Sequence, residues 1–368
     1  MSVAGRHGED DPREGRERDP LPAPPDADAG LIPDHLNAPA VSRYQALGRH
    51  IRLGPRQTVV MTRISLQASP SDAGSWLQLA RKCETAGFHA LLVADHPGSA
   101  ASPFVALAAA AAVTSTIGLG SYVSNAGVRE PILLAADVAT LDLVSGGRAR
   151  LGLGAGHTPT EWEAIGRHRP DVAGRVRRCI AVAEAVRALL DGGAVSVDTP
   201  EVAAREARLT QPRPVRQRVP LTLGTANSHL LRWAGGNADV VGLTGFGRTL
   251  PDGHTHQTHR RTDEIEAQLR HVAVGAYGRD DPPQLEALVQ KVIVTDDAEA
   301  AAAGTSAQLG MTVAELLATP FVWIGTEAEI LSAIAEHEKR WGVTRYVVRA
   351  DAVDPLTPLI GRLERSKR

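Results

Sequence analysis

Four clusters of polar residues and glycine punctuate the chain: Asp95 and His96; Ser121, Tyr122, Ser124 and Asn125; Gly154, Gly156 and His157; and Gly224, Thr225, Ala226 and Asn227. Each follows a run of apolar or β-branched residues. A histidine titrates near neutrality, so His96 and His157 are candidates for moving a proton at a reacting carbon. Asp95 sets a carboxylate beside His96 and also suits a turn cap. Glycines at these points let a planar or anionic ligand come close to the backbone. Amides at the start of a helix after Gly224 would combine donors with the positive end of the helix dipole, which suits a phosphate.

Clusters so far apart in sequence need a scaffold that gathers them, and the pattern from Thr58 onward supplies one. Short apolar runs alternate with amphipathic segments of helical length, the signature of βα units and a parallel sheet. The expected strands are TVVMTRISL, HALLVAD, TIGLGSYVS, RARLGLG, PLTLG, ADVVGL, KVIVTD and TRYVVR. Between them, Ser71 and Asp72 offer caps for a helix with the stripe Trp76, Leu79, Ala80 and Cys83, ending near Gly87. Further helices follow Pro103, begin at Pro131 and stop at Gly146 and Gly147, run over about 175–190, and begin near Asn227 and Arg260. A last stripe comprises Ile330, Ile334, His337 and Trp341. The stretch VDTPEVAAREARLTQPRPVRQR reads as a linker, 297–319 as an inserted helical element, and FVWIG as a return toward the barrel. Eight such units predict a single (β/α)8 TIM barrel, an α/β fold with insertions, rather than two domains. Active sites of such barrels lie at the C-terminal ends of the strands, where all four clusters fall.

Composition narrows the function classes. The 368 residues carry a formal net charge of −2 and are 43% hydrophobic, which gives no electrostatic reason to seek nucleic acid and enough apolar mass for a large core. No apolar run reaches membrane-spanning length, and the N-terminus lacks a basic-then-apolar leader pattern. Residues 1–55 are rich in Arg, Asp, Glu, Pro and Gly, and are expected to be a disordered tail ahead of a catalytic domain over 56–368. The two cysteines, Cys83 and Cys179, fall on apolar faces of different expected helices, which supports neither a disulfide framework nor a zinc site and fits a reducing cytoplasm.

Other motifs have plainer readings. LGLGAG lacks the third glycine of a dinucleotide fingerprint, since His157 or Pro159 stands there. His254, His256 and His259 share a loop without a nearby carboxylate or thiol at metal-site spacing, so a solvated loop is the better reading. Glu161 and Trp162 read as anchors for the loop after the fourth strand. Arg129 reads as a helix-start partner of Glu130 or a phosphate contact.

The blocks GFHALLVADH, IGLGSYVSNAGVREP, ATLDLVSGGRARLGLGAGHTPTEWEAIG and PLTLGTANSHLLRWAG, in this order and spacing, resemble the luciferase-like oxidoreductases, in particular the branch that uses the deazaflavin coenzyme F420. The resemblance spans about 64–349. It implies that Asp95 and His96 lie beside the tricyclic ring, with His96 the acid or base near the hydride-transferring carbon and His157 a second candidate. It implies a cis peptide between Tyr122 and Val123 behind the ring, and Asn125 at the cofactor's polar edge. Gly156, His157 and Thr160 would line the ring, and Gly224, Thr225, Ala226 and Asn227 would hold the phosphate. The sugar-phosphate dehydrogenases of that branch carry a tryptophan after the histidine and a glutamate where His157 stands; 97–101 contain no aromatic residue, which argues against that reaction. The resulting expectation is hydride transfer between F420 and a small organic substrate. The alternatives are an FMN-dependent monooxygenase or a flavin-binding barrel without turnover. A homodimer and a flavin or F420 reductase partner are further implications of the resemblance.

Overall fold

The computed structural model describes residues 61–249, 256–258 and 260–365. The expected tail, the first residues of the expected first strand, His254 and His259 lie outside them. Eight parallel strands, each followed by a helix, alternate around a barrel: β1 (Arg63–Gln67), α1 (Ala73–Ala86), β2 (Ala90–Val93), α2 (Pro103–Ala111), β3 (Gly118–Ser121), α3 (Pro131–Val144), β4 (Ala149–Gly154), α4 (Val172–Leu190), β5 (Leu221–Gly224), α5 (Ser228–Asn237), β6 (Val240–Leu243), α6 (Thr262–Gly275), β7 (Gln284–Leu288), α7 (Glu327–Trp341), β8 (Val343–Arg349) and α8 (Val353–Arg365). Pairing runs from neighbour to neighbour, and β1 meets β8 in the register Ile64 to Tyr346, which closes the ring. The short strand Ser124–Asn125 resumes beside β4 after β3 ends.

Local chemistry explains the helix boundaries. Asp72 caps α1 by accepting from the Ser75 amide at 3.0 Å, and Gly87 ends it in the left-handed region. Pro103 and Pro131 open α2 and α3. The α7 stripe Ile330, Ile334, His337 and Trp341 is buried throughout. Cys83 and Cys179 are buried as well, and burial pushes both thiols up to about 12.

Strand parity sorts the interior into two regions. Leu91, Val93, Leu151, Leu153, Leu221, Leu223, Val241 and Val348 face the helices in the main core. The opposite faces supply a smaller cluster inside the barrel, made of Ala90, Leu92, Tyr122, Leu288 and Val347 with Val123 against it. Toward the N-terminal ends of the strands, opposite the four clusters, the same inward parity places Arg63, Glu286 and Arg345. Arg345 Nε lies 3.4 Å from Glu286 Oε2 and both are buried.

Two expectations are corrected here. KVIVTD is not the seventh barrel strand: Lys291–Val294 pairs in parallel with Val322–Gly325 in a separate two-stranded sheet, so FVWIG does not return to the barrel either. The seventh strand is Gln284–Leu288, whose inward Glu286 interrupts the apolar pattern and is tolerated through its ion pair with Arg345. The expected linker contains an antiparallel hairpin, Ala194–Asp198 with Ala203–Arg208. A short helix, Pro159–Ala164, and α8 were not expected at all.

Candidate active site at the C-terminal mouth of the barrel

His96 lies just beyond β2, with a side chain 40% exposed, and its Nδ1 is 2.7 Å from Oε1 of the buried Glu161. Glu161 belongs to the short helix Pro159–Ala164 after β4. The hydrogen bond that His96 donates to Glu161 raises the His96 pKa; burial opposes it, the charges of Glu161 and Asp95 add to it, and Arg349 subtracts. Burial acts to raise the Glu161 carboxyl, but His96, with Asn125 and Thr158, outweighs it and holds the group below its ordinary value. His157 approaches His96 edge to face, with ring centroids 5.8 Å apart. Both histidines therefore stand at one point on the mouth.

Asp95 is buried and bonded three times. Its Oδ2 accepts from the Asn125 amide at 3.1 Å and from Arg129 Nε at 3.0 Å, while Oδ1 accepts from Arg129 Nη2 at 2.7 Å. This bidentate pair fixes the loop after β3 to the loop after β2. Arg129 thus pairs with Asp95, and not with Glu130, which binds Arg167 and Arg178 instead. Asn125 donates from Nδ2 to Glu161 Oε2 at 2.5 Å and accepts from the Gly127 amide at 2.8 Å. Asp95, Asn125, Glu161 and His96 form one connected network. Sequence reasoning treated Glu161 as a loop anchor; it is the partner of the principal histidine, and its place shortly after the polar cluster that ends β4 was the available signal.

The Tyr122–Val123 peptide is cis. The Val123 side chain occupies space that inward glycines leave open: a Cβ on Gly154 would come within 2.7 Å of it, and one on Gly224 within 3.2 Å. These glycines therefore admit a side chain of the protein itself, where the sequence reading reserved their space for a ligand. Gly156 differs. Its φ is +72°, and a Cβ there would meet Asn125 Oδ1 at 2.0 Å, so the loop can pass Asn125 only with glycine. Trp162 lies against Gly127, where a Cβ would be 2.1 Å from its ring, and this matches its expected anchoring role. Thr160, expected at the ring, is exposed on the short helix.

At the start of α5, Asn227 Oδ1 accepts from the amides of His229 and Leu230, both at 3.1 Å, and Thr225 Oγ1 accepts from the Asn227 amide at 3.0 Å. Much of the expected phosphate cradle is thus self-capped, which leaves Ala226 and Ser228 as the amides still open to an anion. A separate cavity of about 540 Å³ opens behind Trp162, between Arg167, Arg177 and Thr199, and neither His96 nor Asp95 lines it. Among the described residues no three His, Cys, Asp or Glu side chains gather as a metal site, and no helix is long and apolar enough to cross a membrane.

The sequence reading missed a second group at the mouth. Gln67 ends β1 and donates to the Tyr122 carbonyl, while Arg349 ends β8 and donates to Gln67 and Gln290. These residues follow inward parity, which becomes readable only once the strand ends are known.

A closed parallel barrel thus brings His96 and His157 together at its C-terminal mouth. Residues 57–345 match the family model for luciferase-like monooxygenases, and the chain belongs to that family. It is 32% identical over 193 residues to an F420-dependent glucose-6-phosphate dehydrogenase of Beutenbergia cavernae, covering 50% of this chain and 56% of that protein. The chain spans about half the length of the curated relatives it matches. Among solved structures it resembles the coenzyme F420-dependent tetrahydromethanopterin reductase of Methanopyrus kandleri, with TM-score 0.63 and 20% identity over 82% of this chain and 98% of that one. It also resembles the oxygenating constituent of 3,6-diketocamphane monooxygenase of Pseudomonas putida in complex with FMN, with TM-score 0.61 and 15% identity over 84% and 97%.

Proposed function

We propose that this protein is an F420-dependent oxidoreductase that transfers hydride between the deazaflavin and a small organic substrate. One observation carries the reading: a partly exposed His96, held by a buried Glu161, stands beside His157 at the barrel mouth. A sequence relative that is an F420-dependent glucose-6-phosphate dehydrogenase supports it.

The residues present fit a tricyclic ligand. Val123, half-buried and apolar, supplies a surface against one face of a ring, and Gly156 keeps the adjacent loop close without a side chain. The unused N–H of the Asn125 amide is available to a polar edge, and the amides of Ala226 and Ser228 suit a phosphate. The cofactor, when bound, supplies hydride transfer. The protein orients the ring through these groups, and His96 Nε2 holds or takes up the proton at the substrate atom next to the reacting carbon. Glu161 fixes the tautomer by engaging Nδ1 and keeps the charged form accessible near neutrality. Asp95 acts through Asn125 and Arg129, as a positioning residue.

FMN is the second reading, supported by the structural neighbour solved with that cofactor. The test is fluorescence titration of purified protein with the deazaflavin and with FMN separately. Micromolar or tighter binding of the deazaflavin alone is expected, with turnover that persists without oxygen. Binding of FMN alone, with activity abolished by anaerobiosis, would replace this reading with a monooxygenase. A cytoplasmic homodimer that receives reduced cofactor from a separate reductase belongs to the same proposal.

A further inference from the structure

Arg349 is the last residue of β8, and it points inward by the same alternation as Arg345 and Val347. Its Nη1 donates to Gln67 Oε1, and its Nε and Nη2 both donate to Gln290 Oε1, at 3.2 and 2.7 Å. Gln67 donates onward to the Tyr122 carbonyl and Gln290 to the Thr244 carbonyl. The guanidinium is therefore fixed at the mouth by two neutral amides. It differs in this from its counterparts: Arg345 has Glu286 and Arg129 has Asp95. Among the described residues no carboxylate lies within ion-pair distance of Arg349, and Asp351 acts on it only at longer range. Two of its five N–H donors have no partner among those residues. A half-buried cation without a counter-ion is unfavourable unless something else supplies the charge. Burial lowers its pKa accordingly. Its field also reaches His96.

We propose that Arg349 binds the carboxylate of an anionic substrate and so sets the substrate's reacting carbon beside His96. Two open donors on one planar fork match the two oxygens of a carboxylate. Gln67 and Gln290 orient the fork and leave its charge unneutralised. The placement beside His96 rests on the oxidoreductase reading; the carboxylate site itself does not.

The experiment uses the full chain and benzoate, with benzamide as the uncharged isostere and inorganic phosphate as the alternative anion, followed by calorimetry at constant ionic strength. Benzoate is expected to bind at least about tenfold more tightly than benzamide, as befits a charge-assisted bidentate contact. Arg349→Gln should erase that preference and Arg349→Lys should retain part of it, with affinity for the cofactor unchanged within a few-fold. Equal benzoate binding in Arg349→Gln would overturn the proposal. So would an absence of preference in the unmodified protein, tighter binding of phosphate than of benzoate, or loss of cofactor binding in Arg349→Gln. The benzoate-to-benzamide ratio of the unmodified protein needs no variant, so a variant that fails to fold does not remove the test. If neither deazaflavin nor FMN binds, the oxidoreductase reading falls, while the benzoate comparison still decides for or against the site.

Discussion

His96 and Glu161 behave as a unit, and each makes the charged form of the other more favourable. The sign of the pH effect follows from the two shifts. The raised His96 pKa gives stability that is complete below the ordinary histidine value and is lost as pH rises through the raised one. The lowered Glu161 pKa gives stability that is complete above the ordinary carboxyl value and is lost as pH falls through the lowered one. The pair is therefore most stabilising between the lowered glutamate value and the raised histidine value. Glu161→Gln should move the His96 titration to lower pH, as read from the imidazole resonance by NMR; an unmoved titration would show that Glu161 does not control it. His96→Ala should reduce turnover by about 10²–10⁴-fold, the usual contribution of a general acid or base. Cofactor affinity should stay within a few-fold, and an unchanged rate would remove His96 from the chemistry.

Helices α5 and α6 pack at a distance that side chains would prevent. A Cβ on Gly275 would lie 1.8 Å from the Arg232 carbonyl oxygen, and one on Gly235 would lie 2.2 Å from the Val272 carbonyl oxygen. Because the obstacle is backbone, neither helix can yield by changing a rotamer. Gly275→Ala should cost about 1–3 kcal/mol in denaturant unfolding, as overpacking does. A midpoint equal to that of the unmodified protein would contradict the packing. The boundaries of α1, α2, α3 and α7 were legible because Asp72, Pro103, Pro131 and the apolar spacing of α7 act locally. β7 was not legible, because the residue that decides it is Glu286 and its partner Arg345 lies 59 positions away. For the same reason a β-branched run, Lys291–Val294, looked like a better barrel strand than Gln284–Leu288. At the mouth, His96, Asn125 and Gly156 could be read from their places after strands, whereas the Arg129 pairing with Asp95 required the fold.

The candidate site is shared among loops from several βα units, so a ligand held there ties distant parts of the chain together. Ligand binding should raise the stability of the whole barrel: at about 100 times its dissociation constant, a cofactor adds about 2.7 kcal/mol. Thermal unfolding followed with each flavin should show a raised midpoint for the one that binds and none for the other. If both leave the midpoint unchanged, the mouth is not a flavin site. The segment between β7 and α7 adds a further property. It folds around a small core of its own, made of Ala302, Met311, Leu316, Val322 and Ile324, and the Gln290 amide just before it donates to the Phe321 carbonyl at 2.8 Å. Gln290 is one of the two amides that aim Arg349, whereas the His96 network draws on the loops after β2, β3 and β4. Evolution could therefore exchange this cassette and alter how Arg349 is aimed, while the His96 network is inherited intact.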